Sequence, residues 1–245
     1  MELEVNQFEH LEDFKEGVVL LVDKPLEWTS FDVVNKVRGI LRRKLKVKKI
    51  KVGHAGTLDP LATGLLVICT GKMTKQIQYI MDGEKGYTGT ILFGGTTPSF
   101  DLETEVDQTY PTDHLTAELL KEKAQAFEPG YMQTAPVFSA KKVDGKAAYL
   151  SARKGKEVKI EPRYVMIHQF KLTSLALPEV EFDVECGKGT YIRSLAHDLG
   201  KQVDSGAHLT SLRRYRSGEF HVKDAFTIES LMERIEGLQY RESAP

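Results

Sequence analysis

The order of short apolar runs along the chain constrains its fold more than any other feature. Several runs rich in Val, Ile, Leu and Phe are bounded by Gly, Pro or polar residues, which predicts strands, and the first two runs predict buried ones. These runs are residues 17–23, 65–69, 87–93, 165–172 and 180–186. Segments with helical spacing occur at residues 30–41, 72–81, 116–127, 191–202 and 227–236. Because the two kinds of segment do not alternate regularly, we expect a mixed α+β sheet rather than a doubly wound parallel one.

The first long helix should begin at residue 30. Ser30 is predicted as its N-cap, and Asp32 in the first turn favours the helix dipole. A packed face is predicted from the helical spacing of Phe31, Val34, Val37 and Leu41. Residues 52–64 and 129–146 are predicted as loops, the first because it is dense in Gly, Thr, Pro and Asp.

The composition predicts a packed cytoplasmic protein. Of the 245 residues, 41% are hydrophobic, which is enough for a sizeable core. Apolar runs do not reach the roughly 18 residues of a membrane helix, and the acidic start lacks the order of a signal peptide. The two cysteines, Cys69 and Cys186, lie in separate strand-like runs, so a disulfide framework is not expected.

Charge is segregated along the chain although its formal net value is only −1. Residues 38–51 contain eight basic side chains and no acid, and residues 141–163 contain eight more against three acids. Two basic stripes are what a polyanion would require, but a solvated helix face explains the first stripe equally well.

Several familiar chemistries are not supported by the motifs present. Gly71-Lys72 resembles the end of a phosphate-binding loop, but Met73 replaces the required Ser or Thr. The histidines and cysteines lack metal-ligand spacing, and no Gly-x-Ser-x-Gly elbow occurs. We therefore expect chemistry without a metal or a cofactor.

Residues 53–66, GHAGTLDPLATGLL, form the most informative segment. Three glycines permit close approach of the backbone to a neighbour or a ligand. Pro60 biases Asp59 away from helix, which would hold its carboxylate on a rigid turn before a buried strand. An Asp-Pro pair in a loop is more often simple turn chemistry than a catalytic site.

This segment resembles, nearly residue for residue, the signature loop of the TruB family of tRNA pseudouridine synthases. Further matching motifs follow the family's order along the chain: LVDKP (21–25), TS (29–30), GKMTK (71–75), KGY (85–87), TPSFD (97–101), PVFSA (136–140), KGTYIRS (188–194) and AHLTSLRR (207–214). The resemblance covers roughly residues 17–235. It implies the pseudouridine synthase fold, with a mixed, mostly antiparallel central sheet flanked by helices, a catalytic cleft, and a basic thumb-like insertion at residues 141–163.

The resemblance also implies a domain organisation. Residues 1–16 are expected to form an acidic N-terminal arm and residues 17–245 one catalytic domain. Many family members carry a further C-terminal RNA-binding (PUA) domain, and we expect this chain to lack it.

Catalytic roles follow from the resemblance alone. Asp59 is implied to be the essential carboxylate, acting either as a nucleophile on the ribose or as a base that removes a ribose proton. Arg193 resembles the arginine that pairs with this carboxylate, and a nearby guanidinium favours an ionised acid. Tyr87 corresponds to the active-site tyrosine, although a tyrosine in a strand is more often part of the core.

Other matches suggest contacts with substrate. His54 matches the histidine that fills the gap left in the RNA by the extruded base, and Leu212 matches an apolar wall of the uracil pocket. Tyr191 is expected near the same site. Family positions around the cleft are also occupied by Lys24, Lys75 and Asp101. For these three, ion pairs that hold loops are at least as good an explanation as substrate contact.

The implied partner is the T-arm of tRNA, with no membrane, no metal, no cofactor and no obligate protein partner, and the chain is expected to be a monomer. Phosphate contacts from the basic stripes would position the RNA, while flipped bases supply selectivity. Three alternatives remain: a non-catalytic RNA-binding or chaperone protein on the same fold, a related synthase acting on another RNA, and a cofactor-free hydrolase using Asp59.

Overall fold

A computed structural model describes residues 3–139, 142–143, 146–147 and 160–241. Its strands are β1 (Val19–Lys24), β2 (Val52–His54), β3 (Ala62–Thr70), β4 (Lys85–Phe93), β5 (Gly95–Thr96), β6 (Gln108–Thr109), β7 (Gly130–Gln133), β8 (Lys142–Val143), β9 (Lys146–Ala147), β10 (Arg163–Ala176), β11 (Glu179–Cys186), β12 (Ala207–Ser217) and β13 (Phe220–His221). Its α-helices are α1 (Asp13–Glu16), α2 (Ser30–Lys44), α3 (Ile77–Met81), α4 (Ala117–Gln125), α5 (Ile192–Gln202) and α6 (Ile228–Glu236). Short 3-10 helices span Gly71–Gln76 and Val222–Asp224.

The chain forms two units. Unit 1 comprises Met1–Lys85 and Arg213–Pro245, and unit 2 comprises Gly86–Leu212. The chain therefore leaves unit 1 at the first residue of β4 and returns to it within β12. The mixed α+β class with a mostly antiparallel central sheet is confirmed.

In unit 1 the strand order is β1–β3–β12, with β2 paired to β3 and β13 paired to β12. β1 and β3 are antiparallel from Val19 opposite Cys69 to Lys24 opposite Gly64. Alternate residues of β1 enter two different apolar clusters: Leu20 and Val22 pack with α2 and α6, whereas Val19 and Leu21 pack with Leu65 and its neighbours. Because both faces are covered, this strand reads as a continuous apolar run rather than an alternating one.

The start of α2 differs from the prediction. Thr29, not Ser30, is the N-cap, and its side chain and that of Asp32 form a reciprocal capping box. Phe31, predicted to lie on the packed face, is 60% exposed, and Val33 and Ile40 are buried instead. The helix begins one residue earlier than the predicted cap implied, and its packed face is rotated by part of a turn, away from Phe31 and towards Val33 and Ile40.

In unit 2 the strand order is β12–β4–β11–β10–β7. β10 and β11 form a long antiparallel pair with two register shifts, and β7 pairs antiparallel with the beginning of β10. Rings on these strands pack edge to face, as in Phe170 against Phe182 at a centroid distance of 5.9 Å. The predicted strands and the helices at α4 and α5 are confirmed.

Two of the strands with four or more residues, β7 and β12, were not predicted from the sequence. Nor were the shorter ones, of which β2 lies in the first predicted loop, at residues 52–64, and β8 and the first residue of β9 lie in the second, at residues 129–146. β7 falls in the segment expected to be a loop, because its four residues are too short for a periodic signal. β12 was missed because it carries many polar side chains, including Arg213 and Arg214, which find partners within unit 1. Residues 72–81, predicted as one helix, are a 3-10 segment followed by the short α3.

Apolar residues of the N-terminal arm are buried. Leu3, Phe8, Leu11 and Phe14 are each less than 9% exposed, and all belong to the clusters of unit 1. The boundary between the arm and a catalytic domain at residue 16 stays a prediction.

Both cysteines are buried free thiols. Within the described ranges, no helix is long and apolar enough to cross a membrane. The predicted basic insertion at residues 141–163 lies outside the described residues except for 142–143, 146–147 and 160–163.

Candidate active site

The segment that carries Asp59 runs between two strands of unit 1. β2 ends at His54 and β3 begins at Ala62, so the carboxylate lies on a short connection next to buried sheet. Gly64 has a φ of +102°, and a Cβ atom there would collide with the backbone of Arg214. Glycine is therefore required at this position by both its conformation and the close approach of β12.

Arg214 supports both ends of this segment from within unit 1. Its side chain is 1% exposed, its Nε donates to the Leu65 carbonyl at 2.8 Å, and its Nη2 donates to the Gly56 carbonyl at 3.1 Å. A buried guanidinium is stable only when its donors are used, so these contacts fix the backbone on either side of Asp59. The sequence suggested no role for Arg214, because an Arg-Arg pair does not show which member points inward.

The residues flanking Asp59 are held by the Ser30 side chain of α2 and by the backbone of Glu27. The Ser30 hydroxyl accepts from the Leu58 N–H at 2.8 Å and lies 3.0 Å from the Leu58 carbonyl, to which it donates. The Pro60 carbonyl accepts from the Glu27 N–H at 2.9 Å. Asp59 is thus placed between two anchored neighbours.

Lys24 is fully buried beside this segment. Its Nζ donates to the carbonyls of Pro25 at 2.8 Å, Trp28 at 2.6 Å and Pro60 at 3.3 Å. Burial lowers the pKa of Lys24 to about 8, while attraction to the Asp59 carboxylate opposes that shift. Lys24 therefore remains mostly protonated at pH 7, and its positive charge acts on Asp59. The sequence placed Lys24 around the cleft, and its three hydrogen bonds to backbone carbonyls are those of a side chain that holds loops.

His54 is the last residue of β2 and is half-buried. Burial, and then the charge of Arg214, lower its pKa below the usual value, so its imidazole is neutral at neutral pH. Lys75 is exposed in the 3-10 helix Gly71–Gln76, and its place in the site stays a prediction.

Arg193 and Asp101 are brought together inside unit 2. Arg193 is the second residue of α5 and is 3% exposed; its Nη1 lies 3.5 Å from Asp101 Oδ2. The same guanidinium donates to the carbonyls of Ser99 at 3.1 Å and Phe138 at 2.9 Å. Pairing and hydrogen bonding together compensate the burial of both charges. The pairing of Arg193 with Asp59 stays a prediction.

The turn that presents Asp101 is under backbone strain. Phe100 has a φ of +64°, which is unfavourable for a residue with a bulky side chain. Its ring stacks on His197, one turn after Arg193 on α5, with a centroid distance of 3.8 Å and an interplanar angle of 12°. Its carbonyl accepts from the Leu209 N–H at 3.0 Å. These contacts maintain the strained conformation, and neither Phe100 nor His197 had been singled out from the sequence as supporting the site.

The remaining predicted residues also lie in unit 2. Tyr191 precedes α5 and is held by Gln133, which accepts from its N–H at 2.8 Å and donates to its carbonyl at 3.0 Å. Tyr87, 9% exposed, is on β4, and Leu212 is on the neighbouring strand β12. Their proposed contacts with uracil stay predictions.

In the described part of the chain, no group of three or more His, Cys, Asp and Glu side chains is arranged to hold a metal. The fold, an α+β arrangement with a mostly antiparallel central sheet, is that of the pseudouridine synthase class of RNA-modifying isomerases.

Comparison with protein families gives the membership within that class. The model described as TruB family pseudouridylate synthase (N terminal domain) matches residues 42–192, and that described as tRNA pseudouridylate synthase B C-terminal domain matches residues 193–243. The chain belongs to the TruB family, and it is an enzyme that isomerises uridine in tRNA to pseudouridine. The implied family membership and activity are thereby confirmed.

Curated relatives named tRNA pseudouridine synthase B match nearly the whole chain. The protein of Phocaeicola vulgatus is 54% identical over 230 residues, covering 94% of this chain and 98% of the relative. That of Flavobacterium johnsoniae is 53% identical over 226 residues, covering 92% and 99%. Among solved structures, the crystal structure of a Cbf5-Nop10-Gar1 complex matches with a TM-score of 0.67 and 25% identity. That match covers 95% of this chain, which spans only 60% of the length of the matched one.

Proposed function

We propose that the chain converts a T-loop uridine of tRNA, at conventional position 55, to pseudouridine in the cytoplasm, with Asp59 as the essential carboxylate. The observation that carries this proposal is the fixing of the backbone on both sides of Asp59 by Ser30, Lys24 and Arg214. A reacting group held this firmly loses little freedom when substrate arrives, which lowers the barrier to reaction.

The reaction is an isomerisation, so it consumes no co-reactant. The bond from ribose C1′ to uracil N1 breaks, the detached uracil turns, and a bond from C1′ to C5 forms. The C5 proton is then removed and a proton is added at N1, which balances the equation. A base paired or stacked within RNA must first be extruded to expose these atoms.

Asp59 would act at the ribose in either of two ways. It attacks C1′ as uracil departs, or it removes a ribose proton so that uracil leaves by elimination. The positive charge of Lys24 holds the carboxylate in place without blocking either route. In the same proposal, Tyr87 stacks on the extruded base and assists loss of the C5 proton.

The remaining side chains would position the RNA. The neutral imidazole of His54 is suited to fill the gap left in the RNA stack, because no charge has to be desolvated there. The Arg193 guanidinium is held in one orientation by Asp101 and by two backbone carbonyls. Leu212 provides an apolar wall for uracil.

The test uses purified protein and an unmodified tRNA transcript with tritium at C5 of uridine, in buffer containing EDTA. Release of tritium measures the reaction, and mapping of the product identifies the uridine. Asp59→Asn should reduce release by at least about 10⁴-fold, whereas Asp113→Asn, at an exposed position of unit 2, should retain it. Turnover by Asp59→Asn well above background would refute the role of Asp59.

The position of the modified uridine is tested separately. A transcript with cytidine in place of the T-loop uridine at conventional position 55 should release no tritium, and a T-arm hairpin should remain a substrate. Pseudouridine mapped to another position would overturn the T-loop proposal while leaving the family activity intact. Reaction in this purified system would also support the proposal that neither a cofactor nor a protein partner is required.

A further inference from the structure

The basic segment at residues 38–51 does not present a uniform charged face. Arg43 forms an ion pair with Glu236 of α6, and Lys44 Nζ donates to the Glu236 carbonyl at 2.6 Å. Arg38 donates to Asn35 Oδ1 at 2.7 Å and to the Val52 carbonyl at 2.9 Å. These three cations serve the packing of α2 against its neighbours in unit 1.

The other five cations are exposed and have no ion-pair or hydrogen-bond partner among the described residues. They are Arg42, Lys46, Lys48, Lys49 and Lys51. A folded chain gains little by concentrating five unpaired positive charges in ten residues, because like charges repel. Such a cluster is favourable when a polyanion neutralises it.

The chain leads directly from this segment into the connection that carries Asp59. Lys51 precedes β2 directly, and its carbonyl accepts from the Gly71 N–H at 3.0 Å. β2 then leads within three residues to His54. The first turn of α2, which precedes the segment, is joined to Leu58 through Ser30. An RNA strand bound along these cations would therefore lie beside the Asp59 segment of unit 1.

An exposed aromatic ring lies at the catalytic end of α2. Phe31 is 60% exposed, and the Arg38 guanidinium lies 5.8 Å from its ring centroid. An exposed phenylalanine has no packing reason to be aromatic, whereas RNA loops place unstacked bases on such rings. Leu26, in the segment before α2, is 53% exposed and offers an aliphatic comparison.

We propose that Phe31 and the five unpaired cations form a binding track for tRNA, here called the α2 track. The cations contact successive phosphates next to the reacting uridine, and Phe31 stacks on an unpaired base of the same loop. The partner is an RNA with a single-stranded loop joined to a duplex, since phosphates and an unstacked base are both required. This inference rests on tRNA being the substrate, and it is independent of which uridine reacts and of the role of Asp59.

The electrostatic part is tested by measuring binding of unmodified tRNA transcript over a series of salt concentrations. Lys48→Gln/Lys49→Gln should weaken binding and reduce the slope of log K against log salt by about 1.5, because two phosphate contacts are lost. The matched control is Arg43→Gln/Lys44→Gln, which removes the same charge six residues or fewer away and should reduce the slope by less than about 0.5. Equal slopes for the two double variants would overturn the track and leave a solvated basic face.

The control itself could lose stability, because it breaks the contacts with Glu236. Thermal unfolding of each variant therefore accompanies binding, and Lys121→Gln/Lys123→Gln on α4 serves as a second charge-matched control. The proposal holds only if both folded controls reduce the slope by less than about 0.5.

The stacking role of Phe31 is tested by substitutions that leave the charge of the protein unchanged. Phe31→Ala should raise the dissociation constant for tRNA about tenfold with the salt slope unchanged, and Phe31→Tyr should restore binding. Leu26→Ala removes a similar exposed apolar surface and should alter binding less than twofold. Equal losses for Phe31→Ala and Leu26→Ala would show a general apolar contact and overturn the stacking role. Because every measurement is of binding, failure of the T-loop proposal would appear in product mapping and not here.

Discussion

Two neighbouring hydroxyl side chains, Thr29 and Ser30, have separate tasks at the start of α2. Thr29 accepts from the Asp32 N–H at 3.0 Å and completes a capping box, so its contacts are local to the helix. The Ser30 hydroxyl instead bonds to both backbone polar groups of Leu58, which lies 28 residues later in the chain and next to Asp59. Stability of the helix and placement of the carboxylate are therefore separable by single substitutions.

We predict that Thr29→Ala lowers the free energy of unfolding by about 1 kcal/mol and leaves the single-turnover rate nearly unchanged, because only a helix cap is lost. Ser30→Ala should reduce that rate about tenfold or more, because the backbone beside Asp59 loses both contacts. Urea unfolding and single-turnover tritium release measure the two effects. Similar rates for both variants would contradict the positioning role of Ser30.

Arg193 and Asp101 provide a second prediction at this scale. Arg193→Met should lower the free energy of unfolding by about 3 kcal/mol, because it leaves the Asp101 carboxylate buried without its partner. Arg193→Met/Asp101→Asn should recover much of this loss, since an amide is less costly to bury. Urea unfolding of the single and double variants gives the coupling energy. A double variant less stable than Arg193→Met would contradict a mainly electrostatic pair.

At the scale of elements, α5 carries Arg193 and, one turn later, His197. Burial first, and then the charge of Lys201, lower the pKa of His197 from 6.5 to about 4, against the opposing effects of Asp107 and a backbone contact at Ala207. The unfolded chain therefore binds a proton at this histidine between pH 6.5 and pH 4 while the folded chain does not. Stability contributed by the neutral ring is complete above pH 6.5 and is lost as the pH falls through that window.

We predict that His197→Phe keeps the stack on Phe100 and removes this sensitivity to acid. Between pH 7 and pH 5, the wild type should lose about 2 kcal/mol of unfolding free energy more than His197→Phe does. Urea unfolding at several pH values measures the difference. Parallel pH profiles for the two proteins would show that His197 is already protonated in the folded state at pH 5.

The sequence predicted those elements whose signal is local. Continuous apolar runs indicated β1 and β3, because two buried faces leave no room for polar residues. Alternating apolar residues indicated β10 and β11, which bury one face. β12 gave no such signal, since Arg214 is buried only because carbonyls far along the chain accept its hydrogen bonds. The residues that support Asp59 and Arg193 were not predicted for the same reason. The resemblance indicated which residues matter, but the supporting roles of Ser30 and His197 become clear only when segments distant in sequence meet in space.

At the scale of the whole molecule, unit 1 is built from both ends of the chain. The Leu11 N–H donates to the Gln239 carbonyl at 3.1 Å, and Arg241 forms ion pairs with Asp13 and Glu16. The buried apolar residues of the N-terminal arm make this junction part of the core rather than an appendage.

We predict that deleting residues 1–16 lowers the free energy of unfolding by about 5 kcal/mol and the Tm by roughly 10–20 °C, because four buried apolar side chains are lost. Arg241→Gln removes only exposed ion pairs and should change the Tm little. Differential scanning calorimetry measures both. A deletion variant that melts with the wild type would show that the arm contributes no net stability.

Return of the chain to unit 1 within β12 has a consequence for synthesis on the ribosome. The Asp59 segment emerges early, but Arg214, which anchors it, follows only after the whole of unit 2. At a synthesis rate of roughly 5–20 residues per second, Arg214 follows the Asp59 segment after a delay on the order of 10 s. During that interval β3 lacks its neighbour β12 and presents an open edge, of the kind that chaperones shield from aggregation. The Asp59 segment is therefore completed only after β12 has been synthesised, long after its own residues.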